Sequence, residues 1–295
     1  MMIAESELAT PGFQTLAAAV RRRTGVDLSA YREAQLTRRI NSFLRRMGLS
    51  DLSSLARAIA ADADVARRFI DELGINVTEF MRNRPLFEYL RNLLVERNLN
   101  RPIMRLWSAG CSIGCEPYSL AMIMHQIAPK GGWRILATDI DEAALKQAEE
   151  AIYTDAQVDS LTSEELKRYF VRVDCGWQVC EELRRRVQFR RLDLLRDPYP
   201  PNRDVILCRN VIIYFQPEAK QRVLQSLSNA LADDGILFLG GSETIQSPES
   251  IGLEQIRPFF YRKAEPDGSR LSDESKSRIS PRKLTGQPKL VRSRR

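Results

Sequence analysis

The residues best suited to do chemistry lie in a loop that joins a predicted strand to a predicted helix. Over residues 108–117 this loop reads Ser-Ala-Gly-Cys-Ser-Ile-Gly-Cys-Glu-Pro. Glycine lets a backbone approach a ligand closely, so Gly110 and Gly114 are candidate contacts, although a structural turn would also use them. The spacing fits neither the GxGxxG dinucleotide fingerprint nor a P-loop. Glu116 would disfavour a phosphate and would suit a ligand with a positive amino group.

A second candidate is Asp139, which directly follows a predicted strand, 25 residues after Gly114. An acid at the end of the second strand of a nucleotide-binding half commonly accepts hydrogen bonds from ribose hydroxyls. Aspartate also favours helix N-caps, but Asp141 precedes the helix predicted at 142–151 and fits that role better. The pattern therefore predicts that Asp139 contacts a ligand.

The elements that must position these residues alternate between helix and strand from residue 86 onward. Buried strands are predicted at residues 103–108, 134–138, 187–192, 204–208, 236–240 and 259–262. Such alternation predicts an α/β fold with a doubly wound, mostly parallel sheet, in which ligands bind beyond the carboxyl ends of the strands. The alternation of helix and strand is interrupted at residues 154–186, which we predict to form a small insertion at the sheet edge.

The N-terminal residues predict helices only. Between residues 35 and 46, Leu36, Ile40 and Leu44 form part of one apolar stripe. Four arginines fall largely outside this stripe: Arg38, Arg39, Arg45 and Arg46. The predicted organisation is a small all-α domain at 12–73, an α/β domain at 74–263 that contains the insertion at 154–186, and a disordered basic tail at 264–295.

The net charge of +7 is unevenly distributed. Residues 74–263 have as many acids as bases, whereas 264–295 have nine bases against four acids. The neutrality of residues 74–263 argues against nucleic acid as the partner. The arginine face of the helical domain is compatible with a solvated surface or with an acidic protein partner.

Several other site classes are disfavoured by composition. The five cysteines form no CxxC pair and there is one histidine, His125, within an apolar helical stretch, so a metal site, a disulfide framework and a histidine-based triad are not expected. No apolar run approaches the roughly 20 residues that span a bilayer, and the N-terminus does not resemble a signal peptide. We therefore expect a cytoplasmic protein without an integral membrane segment.

Five ordered segments together resemble the CheR-type chemotaxis receptor methyltransferases. They read SAGCSIGCEPYSLA from residue 108, ATDID from 137, CRNVIIYF from 208, LGGSE from 239, and NVTEFMR from 76, where the family has Asn-x-Thr-x-Phe-Phe-Arg. The resemblance implies a Rossmann-like methyltransferase fold with a helical domain and a small β-subdomain. It also implies an S-adenosylmethionine-dependent enzyme that esterifies glutamate side chains of chemoreceptors, with S-adenosylhomocysteine as the other product.

The resemblance also implies site residues. Those implied to bind the cofactor are Asn76, Thr78, Arg82, Gly110, Gly114, Glu116, Asp139, Asp193, Leu194, Arg209 and Asn210. Among these, Glu116 would hold the amino group, Asp139 the ribose, and Asp193 with Leu194 the adenine. Tyr214 would lie near the departing methyl group. Arg82 would be the second catalytic residue, because it or Arg209 could orient a substrate carboxylate.

The partner implied by the family is the acidic helical bundle of a chemoreceptor's cytoplasmic domain, met by the arginine face, with the enzyme acting as a monomer. One departure from the family pattern is Cys115, which replaces the first glutamate of Gly-Glu-Glu-Pro. An S-adenosylmethionine-binding signalling module with lost or weak activity is therefore one alternative. A nucleic-acid methyltransferase recruited by the tail is the other.

Overall fold

Helices make up the N-terminal part of the chain in a computed structural model, which describes residues 3–4, 7–8, 10–24, 26–73, 78–98, 103–241 and 243–264. Their bounds are α1 (Pro11–Thr24), α2 (Glu33–Met47), α3 (Leu52–Ala61) and α4 (Ala63–Leu73). The stripe predicted on α2 is buried in a core shared by these helices. Asp51 begins α3 with a capping box, in which its carboxylate accepts the backbone N–H of Ser54 at 2.7 Å.

Helices and strands alternate through the rest of the chain. In chain order they are α5 (Arg84–Asn98), β1 (Ile103–Ala109), α6 (Cys115–Ile127), β2 (Gly132–Asp139), α7 (Glu142–Glu150), β3 (Ile152–Tyr153), α8 (Asp155–Val158), α9 (Ser163–Tyr169), β4 (Phe170–Val173), β5 (Gly176–Val179), α10 (Glu181–Arg184), β6 (Val187–Arg191), β7 (Arg203–Cys208), α11 (Pro217–Ala230), β8 (Leu231–Leu239), β9 (Leu253–Arg257) and β10 (Phe260–Lys263).

Seven strands of the described residues form one sheet in the order β6-β2-β1-β7-β8-β10-β9. The pairs from β6 to β8 are parallel, and β10 is antiparallel to both β8 and β9. Helices α5 and α6 pack on one face and α11 on the other. The predicted α/β class is confirmed. Strand β9 was not predicted, and β8 begins five residues before the predicted start at residue 236.

The interruption predicted at residues 154–186 contains β4 and β5, which form a small antiparallel sheet of the order β3-β5-β4 with β3, a strand that lies just before the predicted start. Short helices surround this sheet. Phe80 anchors this subdomain, because its ring meets Tyr153 edge-on at 4.8 Å and Phe170 at 5.2 Å. The subdomain therefore shares its core with the face of the main sheet that α5 and α6 cover.

The sheet reverses its winding direction between β1 and β7, because the chain runs from β1 outward through β2 to β6 and then returns to β7. At such a switch point the loops after adjacent strands separate and leave a crevice at the carboxyl ends. No helix in the described ranges meets the length and hydropathy that a membrane span requires. The predicted tail, beyond Ala264, and Asn76 lie outside the described residues.

Candidate functional site

A cleft opens at the carboxyl ends of β1, β2 and β7, at the switch point. It encloses about 1300 Å³ of empty space, counting its open mouth. Most residues singled out from the sequence line it, namely Thr78, Arg82, Gly110, Glu116, Asp139, Asp193, Leu194, Arg209, Asn210 and Tyr214. Gly114 does not line the cleft. The structure thus brings together residues that are up to 136 positions apart in the chain.

The two glycines of the loop after β1 serve different purposes. Gly110 has φ +80°, and a Cβ there would collide with the side chain of Val211 from the opposite wall. Gly114 has φ +92° and precedes α6, where a Cβ would lie 2.9 Å from both the Ala148 Cβ and the Tyr153 hydroxyl. Gly110 therefore shapes the cleft, whereas Gly114 lets α6 pack against its neighbours. The expectation that Gly114 contacts the ligand does not follow from this geometry.

Glu116 places its carboxylate in the cleft from the first turn of α6. The Ser108 hydroxyl donates to Oε1 at 2.7 Å, and Arg209 Nη1 lies 3.5 Å from Oε2. Burial raises the pKa of Glu116, and the positive charge of Arg209 and the Ser108 hydrogen bond oppose that rise. A buried carboxylate with lone pairs directed into a cleft suits a cationic amino group.

Cys115 points the other way. Its side chain is fully buried in the core beneath α6, is absent from the cleft lining, and hydrogen-bonds with Thr78. Burial raises the pKa of its thiol to about 12. Cys115, which replaces the first glutamate of the family's pair, therefore lies behind the cleft wall. Glu116, the second residue of the pair, faces the space where a ligand would bind.

Asp139 ends β2 and also faces the cleft. Its two oxygens accept backbone N–H groups from Ser112 at 2.7 Å and from Asp141 at 3.0 Å. Burial raises the pKa of Asp139, and these backbone hydrogen bonds oppose the rise. Asp141 caps α7 as predicted, because its Oδ1 accepts from the N–H groups of Ala143 and Ala144. The Asp139 oxygens keep lone pairs for ligand hydroxyls.

Asp193 and Leu194 form the wall beyond β6. Asp193 is 6% exposed, and its Oδ1 accepts the backbone N–H of Leu195 at 2.8 Å. The Tyr199 hydroxyl donates to the carbonyl of Leu194 at 2.7 Å. Both residues are thus fixed by local hydrogen bonds. In this part of the wall the apolar side chain of Leu194 lies next in the chain to the carboxylate of Asp193.

Arg209 forms the floor of the cleft where β7 ends. Its guanidinium stacks between Phe87 and Phe238, at 5.0 and 4.6 Å from the ring centroids, and Nη2 donates to the carbonyl of Arg82 at 2.8 Å. Its Nε is buried and has no hydrogen-bond partner within the described part of the chain. Burial lowers the pKa of Arg209, which the negative charge of Glu116 opposes. Arg209 thus ties α5, Arg82 and Glu116 together.

Residues of the helical domain also line the cleft, which the sequence reasoning did not predict. They are Val26, Asp27, Tyr31, Ile70 and Leu73. Burial raises the pKa of the Tyr31 hydroxyl, and the charges of Asp139 and Asp193 raise it further, which places this hydroxyl near both acids. Tyr31 is extended and lies between the 3₁₀ turn Leu28–Ala30 and α2. No local sequence pattern marks such a residue as part of a ligand site, so only the packing of the two domains reveals it.

The arginine face predicted on α2 divides into two parts. Arg38 and Arg45 are exposed and lie about two turns apart on the same side of the helix. Arg46 forms an ion pair with Glu72 and lies over the Phe43 ring, and Arg39 is half-buried.

His125 lies outside the cleft, with Nε2 3.1 Å from Glu182.

The side chains that line the cleft fit the chemical groups of S-adenosylmethionine. One carboxylate suits an ammonium group, a second at the end of β2 suits ribose hydroxyls, and an apolar wall beside a third suits a purine. Among the described residues, no group of His, Cys, Asp and Glu is arranged to hold a metal ion.

Comparisons with known proteins agree with this site. The family model of the CheR methyltransferase SAM binding domain matches residues 76–260, and that of the CheR methyltransferase all-alpha domain matches 11–73. The chain is 39% identical over 246 residues to a chemotaxis protein methyltransferase of Listeria innocua, covering 83% of this chain and 94% of that protein.

Relatives from other bacteria show the same extent of similarity. The chemotaxis protein methyltransferase of Escherichia coli is 33% identical over 80% of this chain and 85% of its own length. Chemotaxis protein methyltransferase 1 of Pseudomonas aeruginosa is 32% identical over 86% of this chain and 98% of its own. Since two family models match in order and these relatives align along most of their length, the chain belongs to the CheR family of S-adenosylmethionine-dependent methyltransferases.

Proposed function

We propose that this enzyme methylates glutamate side chains of chemoreceptor proteins, producing glutamyl methyl esters and S-adenosylhomocysteine. The observation that carries the proposal is the similarity along 94% of the Listeria innocua protein, whose name is chemotaxis protein methyltransferase. The cleft supports it because Glu116, Asp139 and Asp193 line it together with Arg82 and Arg209.

In this proposal each wall of the cleft binds one part of the cofactor. Glu116 holds the ammonium group, Asp139 the ribose hydroxyls, and Asp193 with Leu194 the adenine. Thr78 and Asn210 also line the cleft and are assigned further cofactor contacts. Asn76, to which we assign a cofactor contact as well, lies outside the described residues. When bound, S-adenosylmethionine supplies an electrophilic methyl group on a positively charged sulfur.

The substrate side of the proposal needs no general base. A glutamate carboxylate has a reference pKa near 4.3 and is ionised at neutral pH. The chain must therefore orient this carboxylate and exclude water. Arg82 and Arg209 both line the cleft, and we assign to the guanidinium of Arg82 the bidentate contact with the substrate carboxylate. Tyr214 lines the same space and would border the reacting methyl group.

The domains divide the work in this proposal. Residues 12–73 dock the substrate, and residues 74–263 bind the cofactor and catalyse transfer. The exposed pair Arg38 and Arg45 on α2 would meet acidic helices of the receptor, where charges mainly set encounter rate and specificity.

The test is transfer of labelled methyl from S-adenosylmethionine to purified receptor cytoplasmic fragments. We expect label that is released by mild base, as glutamyl esters are, and that is lost when the acceptor glutamates become alanine. A tight complex with S-adenosylhomocysteine but no transfer to any receptor fragment would contradict the substrate assignment while leaving cofactor binding intact.

A further inference from the structure

The carboxylate of Glu243 is fully buried and surrounded by backbone donors. Oε2 accepts the N–H groups of Asn210 at 2.8 Å and Gly240 at 2.7 Å, and Oε1 accepts those of Val211 and Ile212, each at 3.0 Å. Glu243 is 0% exposed. One side chain therefore satisfies four backbone donors, three of which belong to consecutive residues after β7.

Those three donors lie in the segment that carries the floor and one wall of the cleft. Arg209 directly precedes them, and Tyr214 ends the 3₁₀ turn Ile212–Tyr214 that follows. Asn210 has φ +61°, an uncommon conformation for a residue other than glycine. The loop thus turns sharply around the carboxylate, and its N–H groups point inward where water cannot reach them.

The geometry requires a carboxylate in particular. Four lone-pair directions on two equivalent oxygens accept four donors, whereas an amide has one accepting oxygen and would turn its NH₂ group toward two of the N–H groups. Gly240 leaves the necessary room, because a Cβ there would collide with Glu243 Oε2 and lie 2.9 Å from the Asn210 nitrogen. Burial raises the pKa of Glu243, and the four backbone hydrogen bonds oppose that rise.

We propose that Glu243 is a positioning residue, whose carboxylate fixes the 209–214 segment so that Arg209, Asn210 and Tyr214 face the cofactor and the methyl acceptor. Glu243 does not line the cleft, so it acts through the loop that it holds. The part of this inference that concerns turnover rests on the proposed function. The part that concerns cofactor binding does not depend on the identity of the acceptor.

The test compares E243Q and E243D with D204N. Asp204 is a matched control, because it is also buried (3% exposed) and its Oδ2 accepts the backbone N–H of Arg105, but at the opposite end of β7. Affinity for S-adenosylhomocysteine is measured by titration calorimetry, unfolding by thermal scans, and turnover with a receptor fragment. We expect E243Q to lose about tenfold or more in affinity, and D204N to lower the melting temperature while keeping affinity within about twofold.

E243D keeps the charge but withdraws the carboxylate by one methylene, so it serves even where E243Q does not fold. We expect E243D to lower kcat about tenfold with the KM for the receptor fragment unchanged, because the exposed arginines to which we assign docking, Arg38 and Arg45, do not line the cleft that the loop shapes. Wild-type affinity and kcat in a folded E243Q or E243D, or an equal loss of affinity in D204N, would overturn the proposal. Absence of methyl transfer by the wild type would refute the proposed substrate, and the affinity comparison would still decide the role of Glu243.

Discussion

The backbone N–H of Arg32 donates a 2.8 Å hydrogen bond to the carbonyl oxygen of Tyr214. Arg32 is the residue before α2, and Tyr214 lies in the cleft. On either side of this bond, Tyr31 forms a bridge with Phe215, and the N–H of Gln216 donates to the carbonyl of Ala30 at 2.8 Å. The start of the helix that we assign to receptor docking is therefore joined directly to the segment that we assign to catalysis.

Replacing Arg32 by proline should lower turnover about three- to tenfold, because it removes the N–H that holds Tyr214. The backbone tolerates the change, since Arg32 has φ −65° and Tyr31 before it is extended. R32A is the control, because it keeps the N–H and removes the side chain. The measurement is kcat with a receptor fragment; equal kcat in R32P and R32A would show that this bond does not position Tyr214.

Glu116 and Cys115 provide a direct test of which residue of the Cys-Glu pair binds the cofactor. We expect E116Q to weaken S-adenosylhomocysteine binding about 10- to 100-fold, because a charge-assisted contact with the ammonium group is lost. C115S should bind within about threefold of wild type, because the thiol lies behind the cleft wall. Calorimetric titration of both variants decides the matter, and a larger loss in C115S than in E116Q would reverse our assignment.

The pH dependence of cofactor binding follows from the raised pKa of Glu116. The ammonium contact needs the ionised carboxylate, so affinity should fall as pH decreases through this raised pKa, by up to about tenfold per pH unit. In E116Q this part of the acid decline should disappear, leaving the contribution of Asp139, whose pKa is also raised. Calorimetry of S-adenosylhomocysteine between about pH 5 and pH 8 measures both curves.

Stability without cofactor should show the opposite trend for this group. Because the folded pKa of Glu116 lies above its unfolded value, its contribution to stability is fully present below the unfolded value and is lost as pH rises through the folded one. Comparing the free energy of unfolding of wild type and E116Q across the same pH range isolates this contribution. A wild-type advantage that grows with rising pH would contradict the assigned direction of the shift.

Local sequence patterns were enough for the parts of the fold that local physics determines. The alternation of elements predicted the parallel sheet, and the position of Asp141 before α7 predicted its cap. The same patterns missed β9, a short and partly exposed strand at the sheet edge. They also missed Tyr31 in the cleft and the donors around Glu243, because these contacts join segments about 30 to 180 residues apart that no periodicity connects.

The division of the arginine face on α2 leads to a prediction about receptor recognition. Reversing the charge of the exposed pair, in R38E/R45E, should raise the KM for a receptor fragment about tenfold at low salt, because an acidic partner would meet repulsion. Affinity for S-adenosylhomocysteine should stay unchanged, since neither residue lines the cleft. The difference in KM should shrink as salt screens the exposed charges.

The matched control is R57E, which reverses an exposed arginine on α3 of the same domain. It alters the domain's net charge without touching α2, so its KM should remain near that of wild type if the position of the charge matters. An increase in KM per reversed charge as large as that in R38E/R45E would show that net charge alone attracts the receptor. If R38E/R45E instead raised the KM and weakened cofactor binding by the same factor, α2 would support the fold of the cleft and would not dock the substrate.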